Sequence, residues 1–293
     1  MVTLSWAELD QIVGGVPASA VRHYPQWWHG DRSHVRAWKS AGYTAVRIRP
    51  GQSVTFRRSG GNPAAHGTWR RQEKPTAVST TSNGDLRTLQ EIDPRDALLV
   101  IPCSGKKRTH GSAESSEAAS WPSELLAARA RNRAAAKMDE QQLMPAWYRY
   151  NGWFYTTAEA SLRDAVFTGA PLAILSGGYG LLHPEEPTGH YNKAMRLTDW
   201  PTGLLEELLI AEADRRNVSA VVAFAAAKTD YAKLVRRTPW RSAGLMACLV
   251  TINGVSKGAQ REVPRRLGHA FTCFWQRQPA GRYPEGTTVE RLA

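Results

Sequence analysis

The sequence predicts an α/β protein, with a doubly wound, mostly parallel sheet in its C-terminal two-thirds and a small α+β module in front of it. Three observations carry this. Four runs of strand length are apolar almost throughout: Ala97–Ile101, Pro171–Leu175, Ala220–Phe224 and Ala247–Ile252. A continuous apolar run is buried on both faces, as strands of a parallel sheet are. Stretches with helical character fall between the runs, at about 122–140, 156–168, 202–216 and 229–237, and such alternation builds a sheet with helices on its faces. Third, turn-forming residues follow the first two runs, where ligands bind in such sheets.

In chain order, Ser5-Trp-Ala-Glu8 fits a capping box that starts a helix running through Ile12. Gly14-Gly15-Val16-Pro17 ends it, and Ser19 can cap the next turn. Trp27 and Trp28 precede a helix through Val35 and Trp38, which Gly42 stops. Tyr43–Arg49 and Val54–Arg57 read as a hairpin around Pro50–Ser53. Trp27, Trp28 and Trp38 are expected in the core of this module, because so small a unit needs large side chains. Arg22, Arg32, Arg36, Arg47, Arg49, Arg57 and Arg58 make residues 1–58 a basic docking module. Residues 59–93 are rich in Gly, Ser, Thr and Arg without periodicity and read as a linker. Residues 94–293 form the main α/β domain.

Thirty-eight Lys and Arg against 26 Asp and Glu give the 293-residue chain a net charge of +12. That surplus favours a polyanionic partner, since each neutralised phosphate releases a counterion. No Lys/Arg-faced amphipathic helix and no membrane-length apolar run appear, so no membrane partner is expected. Three scattered cysteines, Cys103, Cys248 and Cys273, make neither a disulfide frame nor a zinc site. Cys248 and Cys273 read as buried small hydrophobes. With no signal peptide at the N-terminus, a cytoplasmic location is expected. No metal, cofactor or obligate protein partner is implied.

The candidate site residues lie in loops. Pro102-Cys-Ser-Gly-Lys-Lys-Arg108 leaves the first buried run; its small residues allow close backbone approach, and Lys106 and Lys107 offer charge to a phosphate or a departing base. Ser176-Gly-Gly-Tyr-Gly leaves the second, with Tyr179 placed to stack on a base. His183, Glu185 and Glu186 follow; the two glutamates either position water or cap the next element. His190-Tyr191-Asn192 can present polar groups to the same place. Tyr148-Arg-Tyr-Asn-Gly-Trp-Phe-Tyr155 interleaves aromatics with Arg, which suits either base stacking or a packed aromatic edge, with Trp153 and Phe154 in the core. Asn253–Arg266 reads as a basic loop whose Lys257, Arg261, Arg265 and Arg266 contact a nucleic-acid backbone.

The combination Leu99–Lys107, Ile174-Leu-Ser-Gly-Gly-Tyr-Gly-Leu-Leu-His-Pro184 and His190-Tyr191-Asn192 resembles a bacterial and phage domain family patterned C-S-x-x-K, then I-L-S-A-K-Y-G-L-L-x-P, then a P-Y-D-type ending. That family is similar to the uracil-DNA-glycosylase-like α/β fold. Its C-S-x-x-K element also resembles one in the archaeosine-synthase group of tRNA base-modifying enzymes. The resemblance covers roughly residues 96–270. Two departures stand out: Gly177-Gly178 replaces Ala-Lys, and Asn192 replaces an acid. Residues 4–58 look like a small module attached to bacterial restriction and defence proteins.

The resemblance implies a DNA-glycosylase-like hydrolase that flips a base, of the modified phage type, and cleaves its N-glycosidic bond in antiphage defence. In that reading Lys106, Glu185, Glu186 and Asn192 are catalytic. Cys103, Ser104, Lys107, Tyr155, Ser176, Gly177, Gly178, Tyr179, His183, His190 and Tyr191 bind the substrate, and the two glycines leave room for a bulky base. The alternatives are a transglycosylase or base-modifying enzyme acting on 7-deazaguanine-type bases in tRNA or DNA, and a non-catalytic DNA sensor.

Overall fold

A computed structural model describes residues 1–13, 28, 35, 38–39, 41–49, 51–58, 86–111 and 120–293. Ser19, Trp27, Arg22, Arg32, Arg36, Pro50 and most of the expected linker lie outside the described residues. The chain forms two compact units, Met1–Thr81 with Ser242–Gly244, and Ser82–Arg241 with Leu245–Ala293.

In the first unit, strand β1 (Val2–Ser5) runs into helix α1 (Trp6–Val13), and β2 (Tyr43–Arg49) and β3 (Ser53–Arg58) form the expected hairpin. The sheet order is β1-β3-β2. The capping box forms as the sequence predicts: Ser5 N donates to Glu8 Oε2 at 2.7 Å and Glu8 N donates to Ser5 Oγ at 3.2 Å. Ser5 Oγ also donates to Glu8 Oε2 at 2.7 Å, and this bond, with that from Ser5 N, holds the Glu8 carboxyl below its ordinary range. Trp28 is buried and stacks on Trp38 at 5.6 Å between ring centroids, above Leu9, Ile48, Val54 and Phe56.

The second unit is a mixed α/β fold. Its helices are α2 (Arg87–Gln90), α3 (Ser123–Ala135), α4 (Ala146–Arg149), α5 (Trp153–Phe167), α6 (Leu204–Arg215), α7 (Asp230–Arg237) and α8 (Ala259–Trp275). Its strands are β4 (Ala97–Pro102), β5 (Asp139–Pro145), β6 (Leu172–Ser176), β7 (Gly180–Leu182), β8 (Pro187–His190), β9 (Ala220–Phe224), β10 (Met246–Ile252) and β11 (Thr287–Arg291). Six of them form one sheet in the order β11-β10-β9-β4-β6-β7; β5 pairs with β8. The four apolar runs are the parallel core strands β10, β9, β4 and β6, and an antiparallel strand closes each edge. The sheet is therefore mixed: the short β6–β7 turn can only pair antiparallel, and β11 returns antiparallel against β10 after helix α8.

Alternate residues of β4 point to opposite faces and Ala97–Ile101 are all buried, as the unbroken apolar run requires. Leu99 and Ile101 join a core with Leu162, Phe271 and Phe274 of α5 and α8. Helices α5 and α8 pack so closely that a Cβ on Gly268 would lie 2.5 Å from the Phe154 carbonyl oxygen. Cys248 and Cys273 are buried as the sequence predicts.

Three expectations about elements change. The C-terminal end of the expected linker is folded: Leu89 and Ile92 are core residues, and Asp93 pairs with Arg277 at 2.7 Å. The helix expected over 122–140 stops at Ala135; Lys137 takes φ 49° and the chain turns into β5. The basic loop expected through Arg266 becomes helix α8 from Ala259, with Pro264 inside it. Leu267, Ala270, Phe271 and Phe274, spaced i, i+3, i+4, i+7, bury one stripe of that helix and override the proline. Among the described residues no helix is long and apolar enough to cross a membrane.

Candidate functional site

The chain leaves β4 to form β6 on one side and returns to form β9 on the other. Loops after β4 and β9 therefore diverge, which opens a crevice at the carboxyl end of the sheet. Cys103 stands at the exit of β4, half-buried, with its N–H donating to the Leu175 carbonyl at 2.7 Å. Its Sγ lies 3.1 Å from the hydroxyl of Tyr231, the second residue of α7. Both side chains are partly open, and they form the mouth of the site.

Behind them is a buried hydroxyl cluster. Tyr191 OH lies 2.7 Å from Ser176 Oγ and 2.8 Å from Tyr150 OH, and Ser176 Oγ also accepts the Tyr179 N–H at 3.0 Å. Tyr155 OH donates to the Pro102 carbonyl at 2.9 Å. Burial, then the neighbouring Cys103, pushes Tyr191 and Tyr231 well above the ordinary phenol range; burial does the same to Tyr150 and Tyr155. All four are hydroxyl donors at neutral pH.

Lys107 supplies the charge. The segment after Cys103 pairs with the segment before α5: Lys107 bridges Tyr150, Arg108 N donates to the Arg149 carbonyl and Asn151 N to the Lys106 carbonyl. Extended backbone alternates its side chains. Lys107 therefore points inward and is 7% exposed, whereas Lys106 is on the solvent side. Lys107 Nζ lies 3.9 Å from the Tyr191 ring centroid and 5.5 Å from that of Tyr150, and donates to the Ser104 carbonyl at 2.9 Å. No carboxylate pairs with it among the described residues. Burial pulls its pKa down to about 8; Cys103 opposes that and Arg149 adds to it.

Several expected site residues stand elsewhere. Strand β7 runs back along β6, with Leu182 opposite Ile174, so His183–Glu186 lie roughly 10 Å from the exit of β6 by strand rise. Glu186 is buried and structural: it pairs with Arg129 at 2.6 Å, accepts Trp121 Nε1 at 2.9 Å and the His183 N–H at 3.1 Å. His183 pairs with Glu212 at 3.1 Å. Glu185 and Asn192 are exposed, and Asn192 adjoins Tyr191. His190 is half-buried on β8, across from Asp139.

The glycines do not widen a pocket. A Cβ on Gly177 would lie 2.3 Å from the Lys193 carbonyl oxygen, and one on Gly178 would lie 2.8 Å from Met138 Cε and 3.0 Å from the Tyr191 ring. Their space is already filled by backbone and ring. Tyr155 and Tyr179 are core residues rather than open stacking platforms. Tyr179 OH donates to Glu140 at 3.0 Å and accepts the Gly189 N–H at 3.0 Å. Ser176 is wholly buried, and Ser104 Oγ is engaged by the Gly152 N–H at 3.1 Å.

In the aromatic segment, Arg149 is buried and donates to the carbonyls of Gln142, Thr188 and Arg108, so it ties three segments together instead of meeting phosphate. Trp153, expected in the core, is 46% exposed. Of the four expected backbone cations, Lys257 and Arg261 are exposed, Arg265 pairs with Glu262 at 2.9 Å, and Arg266 donates to the Glu285 carbonyl at 2.9 Å. Tyr231 was not among the expected residues, although the loop after Phe224 points at it.

A separate cleft of about 280 Å³, lined by Leu89, Ile92, Phe274, Arg277 and Tyr283, lies where α8 ends, beside the approach to β4, and holds none of these groups. Among the described residues no three His, Cys, Asp or Glu side chains gather to hold a metal ion. Residues 1–60 match a family described as a domain of unknown function, DUF7662, a match that ends before every residue of the site. No curated protein matches the chain.

Proposed function

We propose that the second unit is a DNA-glycosylase-like hydrolase, with a doubly wound fold of the uracil-DNA-glycosylase type, that releases a base from modified phage DNA in antiphage defence. The observation that carries this is Lys107, a buried ammonium without a carboxylate partner at the carboxyl end of β4. A buried unpaired cation is costly by itself and is relieved by an arriving anion. A base leaving with the electron pair of its C1′–N bond is such an anion. Water oxygen then bonds to C1′, and its proton passes to the released base or to solvent. In this reading Cys103 and Tyr231 contact the base at the mouth, and Asn192 orients the water. Lys107 stabilises the charge from behind the Tyr191 ring, and Lys106 meets phosphate outside.

The net charge of +12 supports a nucleic-acid partner. The decisive experiment incubates the full chain with modified phage DNA and with unmodified DNA and scores alkali-labile abasic sites. Abasic sites lost in Lys107→Met support the reading; none on any modified DNA that the protein binds sinks it. The half-buried Cys103 thiol favours one second reading, a base-exchanging transglycosylase. That enzyme would leave an altered base and no abasic site, which mass spectrometry of digested nucleosides detects.

A further inference from the structure

The aromatic segment that enters α5 holds one large apolar side chain outside the core. Trp153 is 46% exposed, and the Arg261 guanidinium sits 4.4 Å from its ring centroid. Arg261 forms no ion pair among the described residues, so its charge is available to a phosphate. A second pair of the same kind lies along the same segment: Arg108 is 4.6 Å from the Tyr148 ring centroid and is braced by Glu159 at 3.3 Å.

Both pairs are tied to the loop that leaves Cys103. Gly152, the neighbour of Trp153, donates its N–H to Ser104, the neighbour of Cys103, and Arg108 is hydrogen-bonded through its backbone to Arg149. Exposed Lys106 lies between them in the chain. We propose that Trp153 with Arg261, continued by Tyr148 with Arg108, forms a track for single-stranded nucleic acid that leads to the Cys103–Tyr231 mouth. This rests on reading the site as one that handles a nucleic-acid base.

Chemistry separates a single strand from a duplex here. The faces of bases inside a duplex are covered by their neighbours, so only an unstacked base can lie on the Trp153 ring. An arginine against that ring places positive charge beside the phosphate of the stacked nucleotide. The segment therefore selects strands already open, or opened next to the base that enters the mouth.

Binding tests this without any catalytic step, so its failure is distinct from failure to make abasic sites. The full chain is titrated against a labelled oligodeoxythymidylate of about 12 nucleotides and against the matching A·T duplex, followed by fluorescence anisotropy. The single strand is expected to bind more tightly. Trp153→Ala should weaken it about 5- to 100-fold, Trp153→Phe should restore most of the affinity, and Arg261→Ala should lower the slope of log Kd against log salt by about 0.7. Circular dichroism of the variants confirms that the fold is kept. Unchanged affinity in Trp153→Ala, tighter binding of the duplex, or no binding of the single strand by the native protein each overturns the proposal.

Discussion

The Lys107 ammonium rests 3.9 Å from the centre of the Tyr191 ring, and the closest oxygen it bonds is the Ser104 carbonyl, at 2.9 Å. A cation buried against aromatic faces and peptide dipoles, without a carboxylate, is held in place but not neutralised. This geometry makes Lys107 the centre of the site, and its titration is measurable.

Burial brings the Lys107 pKa down to about 8, against about 10.4 in an unfolded chain. Between those values the unfolded chain holds the proton that the folded chain has released, so stability rises with pH across the window. From pH 8 to pH 10.5 the native protein should gain about 3 kcal/mol relative to Lys107→Met in denaturant titrations. At pH 7 the same variant should form abasic sites about 100-fold more slowly. Parallel stability curves for the two proteins would falsify the buried placement.

Glu212 is the mirror case. Burial pushes its carboxyl up, but hydrogen bonds from His183 and Arg215 outweigh that and bring it down to about 2. The stability it contributes is complete above about pH 4.3 and is lost as pH falls towards 2, about 3 kcal/mol in all. Glu212→Gln should remove that acid sensitivity and cost about 2–4 kcal/mol at pH 7. An acid-unfolding midpoint unchanged by the substitution would exclude the pairing.

Glu186 and Glu185 are adjacent but should respond differently. Glu186 sits in a buried pair with Arg129, which also holds the Tyr179 carbonyl at 2.8 Å. Arg129→Ala or Glu186→Ala should each destabilise the second unit by about 3–5 kcal/mol, and Arg129→Met with Glu186→Leu should recover much of the loss. Glu185→Ala should stay within about 0.5 kcal/mol. Thermal unfolding of the four variants settles which glutamate is structural; catalytic loss in Glu186→Ala with full stability would return it to the reaction.

The two glycines test backbone packing. Gly177→Ala forces a methyl against the 193–195 backbone, which has no flexible end to move, and should cost more than about 2 kcal/mol. Gly178→Ala meets Met138, which can yield, and the Tyr191 ring, which carries Lys107. It should cost about 1 kcal/mol but slow base release more than its stability loss explains. A Gly177→Ala protein as stable as the native one would contradict the contact.

The parallel strands were legible because burial on both faces leaves no polar residue in Leu98-Leu-Val-Ile101 or Val221-Val-Ala-Phe224. The Ser5–Glu8 capping box was legible because its partners are three residues apart. Helix α8 was not: Gly258 and Pro264 are breakers by local chemistry, and the Leu267–Phe274 stripe that overrides them lies further along. The choice between Lys106 and Lys107 was not legible either, since the bridge to Tyr150 fixes which one faces inward and that partner is 43 positions away in the chain. Tyr231 stands alone in its helix without a motif, and only the crevice rule for the exit of β9 leads to it.

Gly268 sets the distance between α5 and α8, because any side chain there would strike the Phe154 carbonyl. Trp153 rides on one of those helices and Arg261 on the other. The glycine thus acts as a gauge block that fixes how Arg261 sits against the Trp153 ring. A larger residue at that position would respace this pair, seven residues along the helix from Arg261, and on the proposed reading would alter strand preference with both side chains intact.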